Sequence, residues 1–173
     1  MGIEILTEPS DLDLADLTAL LADAVEHGAS VGYVIPFDIE ELARYWVAIA
    51  GELRGDGRCL LVYRHQGRIV GSAQLELCGK PNGRHRAEVQ KVLVHSKCRR
   101  MGLGRALMQA AERAAIERGR HLLVLDTESD SGAQQLYAAE GYRAAGQIPQ
   151  FAIGNNGGFV PTTYMYKLLQ AAA

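Results

Sequence analysis

Residues 91–115 read KVLVHSKCRRMGLGRALMQAAERAA. An apolar strand runs out near His95. A basic cluster follows (Lys97, Arg99, Arg100), then Gly102-Leu103-Gly104. After it Leu103, Leu107, Ala110, Ala111 and Ala114 recur at helical spacing, and Gly119 closes that helix. Glycines let a backbone approach a ligand closely. The first turn of a helix offers N–H groups without partners at the positive end of the macrodipole. Together these make a seat for a phosphate or pyrophosphate, to which arginines at the mouth add charge-assisted bonds. A dinucleotide fingerprint would need glycine at position 107, which is Leu, and a Walker loop would need Lys-Ser/Thr after Gly104, where Arg105-Ala106 stand. A glycine turn with a solvated basic face fits the Gly-x-Gly taken alone.

Working outward, residues 87–95 form the strand that enters this loop. Residues 58–64 and 68–77 are two more strands, separated by a turn at His65-Gln66-Gly67. With a second turn at Lys80–Gly83 the three form an antiparallel meander. Upstream, residues 3–6 make a short strand. Leu14 to Val25 form a helix ending at His27-Gly28, and residues 28–37 form a loop. Asp38 with Glu41 opens a helix through Leu53 as a capping box. Downstream, residues 121–126 are nearly all apolar, as in a strand buried on both faces. A helix follows over about 131–140, then strands at 142–147 and 162–168 joined by a long Gly/Asn-rich loop at 148–161. The expected fold is one α/β domain over residues 1–173. It has a mixed, mostly antiparallel sheet of about seven strands, with helices on both faces.

Composition narrows the function. The 173 residues are 48% hydrophobic and 22% charged, with a net charge of −2. That balance gives no global attraction to nucleic acid or anionic membranes. No apolar run reaches the ~20 residues of a membrane span. The N-terminus lacks the basic start and apolar core of a secretory leader. The odd, widely spaced set of Cys59, Cys78 and Cys98 fits neither a disulfide framework nor a metal site, and points to a reducing cytoplasm.

The full loop, Arg99-Arg100-Met101-Gly102-Leu103-Gly104, resembles the acetyl-CoA motif of the GNAT (Gcn5-related) N-acetyltransferases. Ala133, Leu136, Tyr137, Gly141 and Tyr142 resemble that family's later motif, A-x-x-L-Y-x-x-x-G-Y/F. The two motifs and the order of elements cover roughly residues 58–168. The resemblance implies the GNAT fold, with a splayed strand pair that admits the pantetheine arm, and acetyl-CoA as cofactor. It implies cofactor contacts from Val92, Leu93, Val94, Arg99, Arg100, Met101, Gly102, Leu103, Gly104, Arg105, Ala133 and Tyr137. Asp130 stands where relatives carry Asn, and caps a helix about as well. Longer strings, HGASVGY (27–33), SAQLELCGKPNGRHRAEVQKVLV (72–94) and LDTES (125–129), resemble the tabtoxin-resistance branch, whose members acetylate a small amino-acid-like toxin. That likeness implies substrate contacts from Glu88 and Asp126 and a proton-donating Tyr137.

The residues support such chemistry by themselves. Acetyl transfer to an amine needs a neutral amine, a polarised thioester carbonyl and a proton for the departing thiolate. With both substrates bound together, no covalent enzyme intermediate is needed. Tyr137 suits the acid role. Backbone N–H groups near Val92 to Val94 can polarise the carbonyl. Glu88, on one face with Val94 by simple alternation, can take the amine's proton or bind a cationic group. Asp126 ends its strand where ligands of α/β sheets gather. Plainer roles exist for each: core packing for Tyr137, a solvent face for Glu88, a turn brace for Asp126. The expectation is a cytoplasmic acetyl-CoA-dependent N-acetyltransferase acting on a small primary amine, without metal, nucleic acid or membrane partner. A homodimer accords with the family, and toxin or antibiotic resistance is one role it would serve. The alternatives are a protein or peptide acetyltransferase and a non-catalytic acyl-CoA sensor.

Overall fold

A computed structural model describes residues 2–169. In chain order the elements are β1 (Ile3–Leu6), α1 (Asp11–Glu26), α2 (Ile39–Glu52), β2 (Arg58–His65), β3 (Arg68–Leu77), β4 (Arg86–Val94), α3 (Leu103–Glu117), β5 (Leu122–Glu128), α4 (Gly132–Ala139), β6 (Arg143–Ile153) and β7 (Phe159–Leu168). The strands form one seven-stranded sheet, ordered β1-β2-β3-β4-β5-β7-β6. Among the described residues only β4 and β5 run parallel. α1 and α2 cover one face, over a core that includes Leu17, Leu21, Trp46, Leu60 and Leu93. α3 packs on the other face, over Leu61, Leu75, Val89 and Leu123. The close fit of α3 needs Gly71, where a Cβ would lie 3.1 Å from Leu107 Cδ1 and 3.3 Å from Leu93 O.

Local chemistry sets the element ends. α1 starts earlier than the apolar stripe suggests, because Ser10 and Asp13 form a reciprocal capping box. At α2, Asp38 caps through the Glu40 N–H at 2.9 Å rather than through a box with Glu41. β5 buries alternate residues instead of both faces, because one of its faces opens on a cleft. The stretch 148–161 is a strand hairpin, not a long loop: only residues 154–158 turn. β6 lies at the sheet edge, exposed along almost its whole length, and its register shifts twice. An edge strand can carry Pro149 and a bulge at Gln150 (φ 54°), so no alternation of burial marks it in the sequence.

Two irregularities in the middle of the sheet create the site. β4 pairs with β5 only over Arg86–Glu88, against Leu122–Val124. Beyond Glu88 the strands part, although β5 continues to Glu128 on β7. In addition, Gln90 pairs with Gln74 and Leu93 with Ser72, so two residues of β4, Lys91 and Val92, face one residue of β3. Lys91 takes a left-handed conformation there (φ 47°). This bulge inverts the alternation. Val89 is buried under α3, whereas Leu93, of the same parity, is buried under α1 and α2. Glu88 and Val94 therefore point to opposite faces, contrary to the simple count.

Candidate active site

On the α3 side of the gap the backbone supplies donors. The His95 N–H donates to Val70 O at 2.9 Å across β3. By alternation the Val94 amide points away from β3 into the gap, and so does that of Val92. The chain then turns through residues 96–98, Arg99 and Arg100, and reaches α3 at Gly102. Arg100 (φ 63°) and Gly102 (φ 79°) are both left-handed. Gly102 occupies the N-cap position and offers no side chain to the first turn. The first amide of α3 in an intrahelical bond is that of Ala106, which donates to Gly102 O at 3.0 Å. The amides of Leu103, Gly104 and Arg105 stay open at the positive end of the helix, as a pyrophosphate seat requires.

Not every expected contact assembles. Arg99 and Arg100 are exposed beside the loop, and Arg99 Nε lies 3.4 Å from Val94 O. Met101 is solvent-facing, 67% exposed. The Arg105 guanidinium turns away from the loop to Glu140, at 2.6 Å. Leu93 is buried on the opposite face and contributes backbone only. Gly104 sets the approach of α4, since a Cβ there would lie 3.0 Å from Leu136 Cδ2. α4 is capped by Ser131 rather than Asp130, which takes a left-handed φ of 61°. Ala133 and Tyr137, one turn apart, both face the cleft.

Tyr137 is only 7% exposed, and its ring lies 6.1 Å from that of Tyr142. Burial first, and the negative charge of Asp126 second, push its phenol up to about 12. It therefore stays protonated at any physiological pH.

On the α2 side a chain of hydrogen bonds floors the cleft. Glu88 Oε1 accepts from Gln90 Nε2 at 2.8 Å, and Gln90 Oε1 accepts from Arg58 at 3.0 Å. Arg58 also donates to Gln74 Oε1 at 3.1 Å, which takes the Tyr45 hydroxyl at 3.1 Å as well. Glu52 and Glu76 balance the Arg58 charge from the rim, at 2.6 and 3.2 Å. Glu88 is thus oriented through one oxygen. Asp126 lies across the gap on β5. Burial raises its carboxyl above the usual range, and Lys91 pulls the other way. The Lys91 ammonium sits 5.0 Å over the Tyr45 ring.

These parts line one continuous cleft of about 1060 Å³ that passes between β4 and β5. Residues 28–32 border it on one side and Phe151 and Ala152 of β6 on the other. The hairpin tip is tied down over α1: Asn155 Nδ2 donates to Val25 O at 2.9 Å. Glu88, Asp126 and Tyr137 meet in this cleft. Sequence reasoning missed Lys91, Tyr45 and Arg58. Polar residues at 74, 76, 88 and 90 on neighbouring strands were a legible sign of a polar floor. Nothing local announced Lys91, because the bulge that turns it inward leaves no motif.

A parallel strand pair that parts above an anion-binding helix start, with a buried protonated tyrosine on one side and carboxylates on the other, defines an acyl-transfer scaffold. Residues 22–142 match the family model "Acetyltransferase (GNAT) family", and the chain belongs to that family. The family's cofactor is acetyl-CoA. The site fits it through the free amides of Val92, Val94 and the α3 start, which suit its carbonyl and phosphate oxygens. Solved structures agree in fold. A ribosomal-protein-alanine N-acetyltransferase from Brucella melitensis is 27% identical with a TM-score of 0.79, covering 98% of this chain and 100% of its own. The structure of yncA from Salmonella typhimurium with its cofactor acetyl-CoA is 24% identical with a TM-score of 0.77, covering 100% and 97%. An aminoglycoside 6'-acetyltransferase type Ii is 19% identical with a TM-score of 0.73, covering 100% of both chains.

Proposed function

We propose that this single-domain enzyme acetylates the primary amine of a small, amino-acid-like molecule by direct transfer while both substrates are bound. The observation that carries the reading is the acceptor half of the cleft, which Glu88 and Asp126 line together and which residues 28–32 and β6 border on two sides. Two carboxylates favour a cationic amine, and a cleft walled on both sides suits a small molecule better than a protein chain.

Bound acetyl-CoA supplies the activated acetyl thioester. The amides of Val92 and Val94 orient the acyl group and polarise its carbonyl. The open amides at the α3 start, with Arg99 and Arg100 at the mouth, hold the phosphates. Glu88, fixed by Gln90, takes the amine's proton directly or through water. Tyr137, protonated by its environment, gives a proton to the departing thiolate. Asp126 holds the cationic group in place. The work is done in the cytoplasm, and acetylation of a toxin or antibiotic is one use that fits. A peptide N-terminus is the second reading, favoured by the likeness to the ribosomal-protein-alanine enzyme.

Initial rates measured with both substrates varied test the reading. Intersecting double-reciprocal lines, with no acetylated protein in the mass spectrum, are expected. Parallel lines with a stable acetyl-enzyme would overturn direct transfer.

A further inference from the structure

Lys91 is the cleft residue that the steps above leave without work. Its ammonium crosses from the β4 bulge to the Tyr45 ring and borders Gly32, where a Cβ would lie 4.0 Å from Nζ. Among the described residues no carboxylate stands within ion-pairing distance of it. Arg58, the other cation of the floor, is saturated by Glu52, Glu76, Gln74 and Gln90. The bonds of the polar floor run Glu88–Gln90–Arg58–Gln74–Tyr45, and Lys91 stands over the last of these. The cleft thus holds two carboxylates, Glu88 and Asp126, and one cation, Lys91, that pairs with neither. Burial, and then Arg58, lower the ammonium's pKa, while Asp126 and Glu88 support its charge. A desolvated cation without an ion-pair partner gains most from an incoming anion.

Resting on the small-acceptor reading above, we infer that Lys91 is a specificity-determining residue that binds a carboxylate of the acceptor, so that the substrate is a zwitterion whose ammonium lies toward Glu88 and Asp126. An N-terminal residue within a peptide has an amide where this site wants a carboxylate.

The test uses free amino acids and their matched carboxamides, together with short peptides, and reads thiol release from acetyl-CoA by the wild type, Lys91→Met and Lys91→Arg. Methionine keeps the stem over Tyr45 without the charge, and CoA-induced thermal shifts show that each variant is folded. The wild type should favour at least one free acid over its carboxamide. Lys91→Met should raise KM for that acid about 10- to 100-fold, the range of a charge-assisted bond, and leave the carboxamide's KM unchanged. Lys91→Arg should retain much of the preference. Equal kcat/KM for free acids and their carboxamides or peptides, or an equal effect of Lys91→Met on both series, would overturn the anchor and leave amine acetylation standing. No release with any amine would defeat the small-acceptor reading and the anchor with it.

Discussion

Replacing Tyr137 by Phe removes one oxygen and keeps the ring that packs 6.1 Å from Tyr142. Only burial and charge act on that phenol, so no protein hydrogen bond is lost and the stability change should stay within about 1 kcal/mol. If the hydroxyl supplies the leaving proton, kcat should fall by about 10²- to 10⁴-fold. That corresponds to roughly 3–5 kcal/mol of lost transition-state stabilisation. CoA affinity, measured by calorimetry, should change less than about threefold, because the loop and α3 amides carry most of the binding. The wild-type rate should show no basic limb from this phenol until near its pKa of about 12. An unchanged kcat in the Phe variant would remove Tyr137 from the acid role. A fall in kcat matched by an equal fall in CoA affinity would make it a packing residue.

Other outcomes follow from the same geometry. Gly104→Glu adds a carboxylate at the pyrophosphate seat and a Cβ 3.0 Å from Leu136 Cδ2; calorimetry should show CoA affinity weakened at least ~100-fold, about 2.7 kcal/mol, and undiminished affinity would misplace the cofactor. Asn155→Ala frees the hairpin tip from Val25 O; acceptor KM should rise about 3- to 10-fold with CoA binding unchanged, and an unaltered acceptor KM would mean the tether does not shape the pocket. Asp13, Asp16 and Asp23 are held below the usual carboxylate value of 3.8: burial pushes them up, but hydrogen bonds from Arg64, Arg68 and Ser96 outweigh it. A depressed folded pKa gives stability that is present above the unfolded value and lost as pH falls through the folded one. The melting temperature should therefore hold above about pH 5 and drop below about pH 4, and less steeply in Asp16→Asn; a flat profile down to pH 3 would contradict the linkage.

Much of this was legible because the strongest signals were local. The strand–loop–helix around Gly102 and Gly104 needs its glycines wherever it occurs, and the meander of β2, β3 and β4 shows its turns openly. What escaped depended on tertiary context. The β4 bulge has no sequence mark, so simple alternation places Glu88 and Val94 on one face and gives Lys91 no part in the site. β6 hides its alternation because an edge strand has no buried face to encode. Arg105 looked like a loop cation, and only the fold brings Glu140 within 2.6 Å of it. The capping box of α1 was readable in Ser10 and Asp13, yet Asp at the third helical position stands in for the more familiar Glu or Gln.

The central claim is that the cleft performs acetyl transfer to a small amine and does not merely hold an acyl-CoA. The most direct measurement is free-thiol release from acetyl-CoA by the purified protein, with and without amino acids, amino-acid analogues, polyamines, aminoglycosides and peptides. Release should depend on a small primary amine, with mass spectrometry showing one acetyl group on the acceptor nitrogen. Saturable acetyl-CoA binding without acceptor-dependent release across that panel would contradict it and mark the protein as a sensor.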